Sequence, residues 1–230
     1  MTITVAIDGP AGAGKSTVAK QVAAALAFTY IDTGAMYRTV AWKALQTDIA
    51  ADNADALKAI AETMTLFLSP LDSEGKQTVS VDGADVTNLI RTPEVSALTS
   101  TISALSPLRR VLVECQRKMG RENATGVVLD GRDIGTVVFP NADVKIFLTA
   151  SAEERARRRY EELRGRGLPA DFHQVLTEQI ERDTRDSQRE DSPLVAAADA
   201  VLLNTDGLTA EAVAEQIIAL CRVKMPGVTA

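Results

Sequence analysis

GPAGAGKST, Gly9 to Thr17, is the stretch that decides the fold of this chain, and it lies between an apolar run and an alanine-rich run. The preceding residues, TITVAID, have the composition of a short buried strand, and the following STVAKQVAAALA has that of a helix. The stretch itself matches the pattern G-x-x-x-x-G-K-[ST] with Gly9, Gly14, Lys15 and Ser16. A glycine-rich turn with an incidental lysine is the alternative, but the flanking patterns favour a strand, a phosphate-binding loop and a helix.

A loop of this kind binds the phosphates of a nucleoside triphosphate. Its glycines let backbone N–H groups turn toward the β-phosphate, and the following helix presents its positive N-terminus. Lys15 is expected to bridge the β- and γ-phosphates, and the Ser16 hydroxyl is expected to bind magnesium. The predicted nucleotide-binding residues are Gly9, Pro10, Ala11, Gly12, Ala13, Gly14, Lys15, Ser16 and Thr17.

The rest of the chain alternates strand patterns with helix patterns. The apolar runs TGVVLD, ADVKIFLTA and ADAVLLN are each followed by a helix-like stretch, which predicts an α/β fold with a parallel sheet and helices on both faces. One region departs from this pattern. Between Leu66 and Val86, Val79 and Val81 alternate with polar residues before the pair Asp82-Gly83, which favours a tight hairpin turn. We therefore expect a small antiparallel β insert there.

Composition and charge limit the classes of function. A chain of 230 residues with 46% hydrophobic residues is the size of one main α/β domain. The net charge of −6 argues against a nucleic-acid or anionic-membrane partner, so any anion site must be local. Cys115 and Cys221 are too few for a disulfide framework, and the single His173 disfavours zinc and Ser-His-Asp sites. We expect a soluble cytoplasmic protein with no membrane span.

Three classes of protein use such a loop: GTPase switches, ATP-driven motors and small-molecule kinases. A switch needs an N-K-x-D type segment to recognise guanine, and the nearest candidate, Asn204-Thr205-Asp206, lacks the lysine. A motor usually has a larger chain, so size disfavours that class without excluding it. A small kinase needs a second pocket that attracts anions.

Candidate residues for such a pocket follow two predicted strands. Tyr37 and Arg38 lie at a helix start after the second strand, and Arg132 and Asp133 follow the apolar run that ends at Asp130. The carboxyl ends of parallel strands are where ligands bind in open α/β sheets. Asp130 has two possible roles. It is either a turn residue at the end of its strand or, as we favour, a carboxylate that orients magnesium or its waters.

Two later segments are rich in arginine. They contain Arg155, Arg157, Arg158, Arg159, Arg164 and Arg166, and then Arg182, Arg185 and Arg189. The spacing of the last three predicts one helix face. The ordinary interpretation is that these segments are solvent-exposed helices stabilised by i,i+4 ion pairs. The candidate pairs are Glu154–Arg158, Glu178–Arg182 and Glu181–Arg185. Transfer between two anionic phosphates requires several fixed cations, which favours a binding role next to a phosphate loop.

Taken in order, these motifs carry a specific resemblance. GPAGAGKST, DTGAMYR, IRTPEVSALTSTISALSPLRRVLVECQRKMG, DGRDIGTVVFPNADVKIFLTAS, EERARRR and ERDTRDSQREDSPL resemble the bacterial cytidylate kinases, a family of nucleoside monophosphate kinases. The resemblance extends from Ile3 to about Asp206. The segments DGRDIGTVVFP and RDxxR followed by SPL separate this family from the adenylate, guanylate and shikimate kinases. Those kinases share the phosphate loop and the general fold, so the loop alone is not specific.

The resemblance implies ATP-dependent phosphorylation of CMP and dCMP by a monomer, with Mg²⁺. It implies that Arg38, Arg132 and Arg189 hold the acceptor phosphate and that Arg182 and Asp186 contact the sugar and the nearby phosphate. It implies catalytic roles for Lys15, Arg132, Arg189 and the lid arginines Arg155 and Arg159, and substrate contacts for Thr33 and Tyr37. It also implies a core of residues 1–35 and 105–225, a monophosphate-binding part at about 36–104 and a short lid at about 155–170.

Cytosine recognition is implied for Ser100, Arg109 and Asp133, and the chemistry of these residues suits that base. A carboxylate accepts from the N4 amino group, while an arginine and a hydroxyl donate to N3 and O2. Uracil would present a carbonyl to the carboxylate and leave a buried group unpaired. The chain departs from some relatives at Ser16 and Thr33, and both residues keep a hydroxyl, so we expect no loss of activity. A kinase for UMP or AMP and a slowly hydrolysing nucleotide switch stay open as alternatives.

Overall fold

The computed structural model describes residues 3–224 and has a parallel sheet at its centre. The five strands are β1 (Ile3–Asp8), β2 (Thr29–Asp32), β6 (Gly126–Asp130), β7 (Val144–Thr149) and β8 (Val201–Asn204). They are ordered β2-β6-β1-β7-β8, and every neighbouring pair is parallel. The predicted α/β class with a parallel sheet is confirmed, and residues 1–2 and 225–230 of the predicted single domain lie outside the described residues.

Eight α-helices connect and cover the strands in the described part of the chain. They are α1 (Lys15–Leu26), α2 (Thr33–Gln46), α3 (Ala54–Thr63), α4 (Pro93–Ile102), α5 (Ser106–Arg121), α6 (Ala152–Gly165), α7 (Phe172–Ser187) and α8 (Ala210–Lys224). Short helical turns occur at Leu89–Arg91 (3₁₀) and Ile134–Val138 (π). None of the helices between residues 3 and 224 combines the length and the apolar composition needed to cross a membrane.

The central strands β1, β6 and β7 have buried residues on both faces of the sheet, since alternate residues of a strand point to opposite faces. Leu202 of the edge strand β8, in contrast, is 64% exposed. In β1, Val5 and Ile7 pack with α1 and α8, represented by Val22 and Ile217. Ala6 faces the other way and packs in the layer that contains Val113 of α5. Helices therefore lie on both sides of the strands, as predicted from the repeated strand and helix patterns.

Helices α2 to α5 form a second hydrophobic cluster beside the sheet. Val40 of α2, Leu57 of α3, Ile102 of α4 and Leu112 of α5 are fully buried within it. The segment that includes the predicted monophosphate-binding part therefore has an apolar core of its own.

The predicted antiparallel insert is confirmed. Strands β3 (Leu66–Leu68), β4 (Val79–Val81) and β5 (Ala84–Asp85) form an antiparallel sheet. Asp82 and Gly83 have φ values of 51° and 83°, the left-handed conformation that a two-residue hairpin turn requires at both central positions. The insert is attached to the main sheet by Gln77, whose Nε2 donates to the carbonyl of Tyr30 at 2.9 Å.

Two sequence predictions about helices are wrong. The strand TGVVLD is followed by the single π-helical turn Ile134–Val138 and not by an α-helix. Arg189 does not share a helix face with Arg182 and Arg185, because α7 ends at Ser187. After that point the amide of Leu194 donates to the carbonyl of Asp186 at 2.8 Å, so the chain folds back and leaves the helix axis.

Candidate functional site

A cavity of about 1350 Å³ opens at the carboxyl ends of β1, β2 and β6, where a ligand site is expected in an open α/β sheet. The loop before α1 forms one wall, and the start of α2 together with α4 forms another. The residues after β6 form the floor, and α6 and α7 line the remaining side. The cavity therefore brings together the phosphate-loop motif and both arginine-rich segments.

The phosphate loop has a backbone that only glycine adopts readily. Gly9, Gly12 and Gly14 have φ values of 145°, 78° and 88°. A Cβ on Gly9 would lie 2.1 Å from the carbonyl oxygen of Leu148. Gly14 is the N-cap of α1, so the positive end of the helix adjoins the loop, and Lys15 Nζ reaches back to the carbonyl of Pro10 at 2.7 Å. The loop thus forms a cradle whose shape suits an anion.

Ser16 and Asp130, the predicted magnesium residues, are in contact. Ser16 Oγ donates to one carboxylate oxygen of Asp130 at 2.6 Å, and Tyr30 Oη donates to the other at 2.8 Å. Burial, followed by the charge of Asp32, raises the pKa of Asp130. Since Mg²⁺ prefers oxygen ligands and is usually held by one or two protein groups together with substrate phosphates, this pair fits the ion. Between residues 3 and 224 no group of three or more His, Cys, Asp or Glu forms an all-protein cage.

Asp32, which immediately precedes α2, is hydrogen-bonded to two arginines. Its carboxylate accepts from Arg38 Nη2 at 2.9 Å and from Arg91 Nη2 at 3.2 Å, and it caps α2 through the amide of Ala35 at 2.8 Å. Burial opposes ionisation, but Arg38 and then Arg91 lower the pKa of Asp32. Arg38 was predicted from the sequence, whereas Arg91 was missed, although it lies within the motif IRTPEV. Thr33, the next predicted residue, donates to the carbonyl of Asp130 at 2.6 Å.

Asp186 holds a second pair of arginines, as Asp32 holds the first. It lies 3.0 Å from Arg132 Nε and 3.7 Å from Arg189 Nη1. Burial lowers the pKa of Arg182 to about 10, and the neighbouring charge of Arg132 adds to that effect. The pKa values of Lys15 and Arg189 are also lowered, in each case first by burial and then by the charge of another arginine, Arg132 for Lys15 and Arg109 for Arg189. The cavity therefore concentrates positive charge within an acidic protein.

Four buried guanidinium nitrogens in the cavity have no hydrogen-bond partner among residues 3–224. They are Arg38 Nε, Arg109 Nε, Arg182 Nε and Arg189 Nη2. A buried donor without an acceptor is costly, and guanidinium donors are well suited to phosphate and to ring acceptors. These four nitrogens accordingly mark where a ligand with several acceptor oxygens would be stabilised.

The three residues implied in base recognition all line the cavity, and two of them are in direct contact. Arg109 Nη2 is 2.5 Å from Asp133 Oδ2, and Arg109 Nη1 donates to the carbonyl of Ser103 at 2.9 Å. The guanidinium stacks 5.5 Å from the ring centre of Tyr37, and burial raises the pKa of that tyrosine to about 12. Ser100 is buried nearby on α4, and its hydroxyl accepts from Arg185 Nη1 at 2.8 Å.

The lid arginines have different surroundings. Arg155 is buried and donates to the carbonyls of Ala150 and Ala11, both at 3.0 Å, while its Nη1 lies 2.6 Å from Asp183. Arg155 therefore supports the phosphate loop from behind, and its predicted contact with a transferring phosphate stays a prediction. Arg159 lines the cavity and pairs with Glu162 at 2.8 Å.

Arg158, which was given no catalytic role in the sequence analysis, also lines the cavity. It donates to the hydroxyl and carbonyl oxygens of Thr205 at 3.0 and 2.7 Å. The predicted pair Glu154–Arg158 is confirmed at 2.8 Å. The other two predicted pairs, Glu178–Arg182 and Glu181–Arg185, do not form ion pairs in the described part of the chain. Arg185 donates to the Ser100 hydroxyl instead, and both arginines line the cavity.

Comparisons with known proteins identify relatives over almost the whole chain. The sequence model of the cytidylate kinase family matches residues 5–223. A cytidylate kinase of Desulforamulus reducens is 52% identical over 214 residues, which cover 93% of this chain and 94% of that protein. A bifunctional pantoate ligase/cytidylate kinase of Acaryochloris marina is 47% identical over 224 residues; these cover 96% of this chain but only 42% of that protein. An uncharacterized protein from Eubacterium ventriosum shares the fold alone, with a TM-score of 0.51, 12% identity and coverage of 97% of this chain and 99% of that one.

Proposed function

Because the chain belongs to the cytidylate kinase family, we propose that it transfers the γ-phosphoryl group of ATP to CMP and dCMP and so forms CDP and dCDP. The observation that carries the proposal is the set of unpaired buried arginine nitrogens, which surround the same cavity as the phosphate loop. A kinase for a nucleoside monophosphate has to bring two anionic phosphates together, and fixed cations offset their repulsion.

The loop residues Gly9 to Thr17 would hold ATP. Backbone amides of the loop and the first turn of α1 would donate to the β-phosphate, and Lys15 would exchange its contact with Pro10 for the β- and γ-phosphates. Ser16 and Asp130 would hold Mg²⁺, which neutralises charge on the transferring phosphate. The lowered pKa of Lys15 reflects burial among other cations, and a bound polyphosphate would favour its charged form.

The acceptor phosphate would be held by Arg38, Arg132 and Arg189. Each of them is already fixed by Asp32 or Asp186 and so loses little freedom on binding. Arg182 has an unpaired Nε beside this cluster, and Asp186 and Arg182 would contact the sugar and nearby phosphate. The attacking oxygen belongs to an anionic phosphate, so no general base is required and catalysis consists of alignment, charge neutralisation and exclusion of water.

The cytosine ring would lie against Asp133, Arg109 and Ser100. Arg109 occupies one oxygen of Asp133, which leaves the other for the N4 amino group. Arg109 Nε is an unused donor for a ring acceptor. Arg185 already donates to Ser100, so the proton of that hydroxyl is free to point at another acceptor of the base.

Two parts of the chain would close over the substrates. The lid at about 155–170 and the monophosphate-binding part at about 36–104 contact each other where Arg166 Nη1 donates to the carbonyl of Arg91 at 3.2 Å. This contact supports closure of the lid onto the monophosphate-binding part across the cavity. We also propose a monomer of the cytoplasm, since a single chain lines the whole cavity and both cysteines are free.

The test is ADP release measured in a coupled assay with CMP, dCMP, UMP, AMP and GMP as acceptors. Rapid turnover with CMP and dCMP alone supports the proposal. A preference for UMP or AMP would replace the acceptor but keep the kinase class. ADP release that is indifferent to every monophosphate would instead indicate a nucleotide-dependent switch.

A further inference from the structure

The π-helical turn Ile134–Val138 directly follows Arg132 and Asp133, two residues of the acceptor side of the cavity. Asp133 begins the turn, and its carbonyl accepts from the amides of Val137 and Val138 at 2.9 and 3.1 Å. π-Helical turns are rare and occur often at functional sites. Because the turn is short, its position depends on what holds its two ends.

Asp8 holds the first end. Its two carboxylate oxygens accept from the amides of Ile134 and Gly135 at 2.8 and 2.7 Å, and the side chain is buried. Both bonds are charge-assisted and are stronger than ordinary hydrogen bonds between neutral groups. Asp8 is the last residue of β1 and immediately precedes Gly9, whose own position is restricted by the carbonyl of Leu148.

Arg117 holds the other end. From α5 its Nη2 and Nε donate to the carbonyls of Val137 and Val138 at 2.8 and 3.0 Å. Glu114, one turn earlier on α5, fixes the same guanidinium at 2.6 Å. The turn is therefore bracketed by a carboxylate from the central strand and a guanidinium from a covering helix.

We infer that Asp8 and Arg117 are positioning residues that set the distance between the phosphate loop and the residues that hold the acceptor. Asp8 joins the two directly, because its backbone leads into the loop while its side chain holds the turn behind Asp133. Neither residue lies in the cavity lining, so they act through Arg132 and Asp133 and not on the substrates. The inference rests on the proposed kinase function but not on the identity of the base.

The main test compares Asp8→Asn with Asp143→Asn. Asp143 is also a carboxylate that accepts from a backbone amide of β1, Thr4 N at 2.8 Å, but it lies at the opposite end of the strand. An asparagine at position 8 can accept one of the two amides and turns a donor toward the other. With the acceptor that gives the fastest turnover in the panel, we expect kcat to fall about 10- to 100-fold in D8N, since a misplacement of 1 Å can cost that much, and KM for ATP to change far less.

A second readout separates positioning from general destabilisation. Amide hydrogen exchange in D8N should accelerate at Ile134 and Gly135 while exchange in α1 stays at the wild-type level, and D143N should change neither. A kcat for D8N within twofold of D143N, or unchanged exchange at both amides, would overturn the inference.

The other end of the turn keeps the inference testable if D8N fails to fold. Arg117→Gln replaces the two guanidinium donors to the turn with a single amide NH₂ group on a shorter side chain. Arg121→Gln, at an exposed residue one turn later on α5, is its control. We expect a loss of kcat in R117Q and none in R121Q, and equal kcat values in the two variants would contradict the inference. If no monophosphate is phosphorylated by the wild type, the proposed function fails, and the exchange measurement still decides whether Asp8 holds the turn.

Discussion

Asp133→Asn should shift the acceptor preference from cytosine toward uracil. In the wild type one oxygen of Asp133 is 2.5 Å from Arg109 Nη2, a nitrogen that can only donate. An asparagine at this position must turn its own oxygen toward Arg109, so its NH₂ group faces the base. Against the N4 amino group of cytosine this places a donor against a donor, whereas the O4 oxygen of uracil gains a partner.

The size of the shift follows from those contacts. Loss of a hydrogen bond to a charged group costs about 1.5 to 3 kcal/mol, and a new neutral bond to uracil contributes about 0.5 to 1.5 kcal/mol. The ratio of kcat/KM for CMP to that for UMP should therefore fall by about 2 to 4.5 kcal/mol, or roughly 30- to 2000-fold. The variant also breaks a buried ion pair, in which the Arg109 side chain is 4% exposed, so its free energy of unfolding should decrease by about 3 kcal/mol.

The assay is initial-rate kinetics of ADP release with CMP and with UMP at saturating ATP. The ratio between the two acceptors is the useful quantity because a smaller folded fraction lowers both rates equally. Arg110→Gln, which removes the exposed arginine next to Arg109, is the control and should leave the ratio unchanged. A D133N ratio within threefold of the wild type would show that Asp133 does not contact the base.

Three further perturbations have defined outcomes. Lys15→Ala should lower kcat about 100- to 1000-fold with every acceptor, as expected when a donor to a developing anion is removed, and a wild-type rate would refute the loop assignment. Gly12→Ala places a Cβ at φ 78° and 2.9 Å from the Arg155 Cβ, whereas Gly75→Ala has φ 70° and no atom within 4 Å. We expect about 1 kcal/mol of destabilisation in G75A and a larger loss, together with a raised KM for ATP, in G12A; equal melting temperatures would contradict this. Burial raises the pKa of Asp8 to about 6, although the hydrogen bonds from Gly135 and Ile134 lower it. Among the nearby charges, Asp133 raises this pKa and Lys15 lowers it. The Asp8 carboxyl group therefore holds its proton more tightly in the folded state than in the unfolded state. The resulting stabilisation is complete below about pH 4 and is lost as pH rises through 6, with a full amplitude on the order of 3 kcal/mol. Urea unfolding at pH 4.5 and 7.5 should show roughly 2 kcal/mol of this difference in the wild type and none of it in D8N.

The parts of the fold that depend on local patterns could be predicted from the sequence. The strand, loop and helix around Gly9–Thr17 are adjacent in the chain, and their glycine and apolar positions determine the backbone directly. The hairpin at Asp82-Gly83 is local in the same sense, since two residues supply its left-handed conformations. Parallel pairing followed from the alternation of strands and helices, because such connections favour a covered parallel sheet.

Features that depend on contacts between distant segments could not be predicted. The π-helical turn after β6 is held by Asp8, 126 residues from Ile134, so no local pattern distinguishes it from an α-helix. The end of α7 before Arg189 is set by a backbone bond from Leu194 to Asp186. Arg91 belongs to the site because it reaches Asp32, which is 59 residues away, and its spacing in the sequence gives no sign of that contact.

Two carboxylates, Asp32 and Asp186, hold the arginines of the cavity in place and give this acidic protein the fixed cations that the proposed transfer between two phosphates requires. Asp32 fixes Arg38 and Arg91, and Asp186 fixes Arg132 and Arg189, so four guanidiniums are oriented at the cost of two negative charges. The pairs do not use every donor, since Arg38 Nε and Arg189 Nη2 stay buried and unpaired. A phosphate can therefore bind to the remaining donors without breaking either cluster, and the arginines need no reorganisation when it arrives. In the proposed kinase this local excess of donors would favour small anionic substrates, although the net charge of the whole chain is −6.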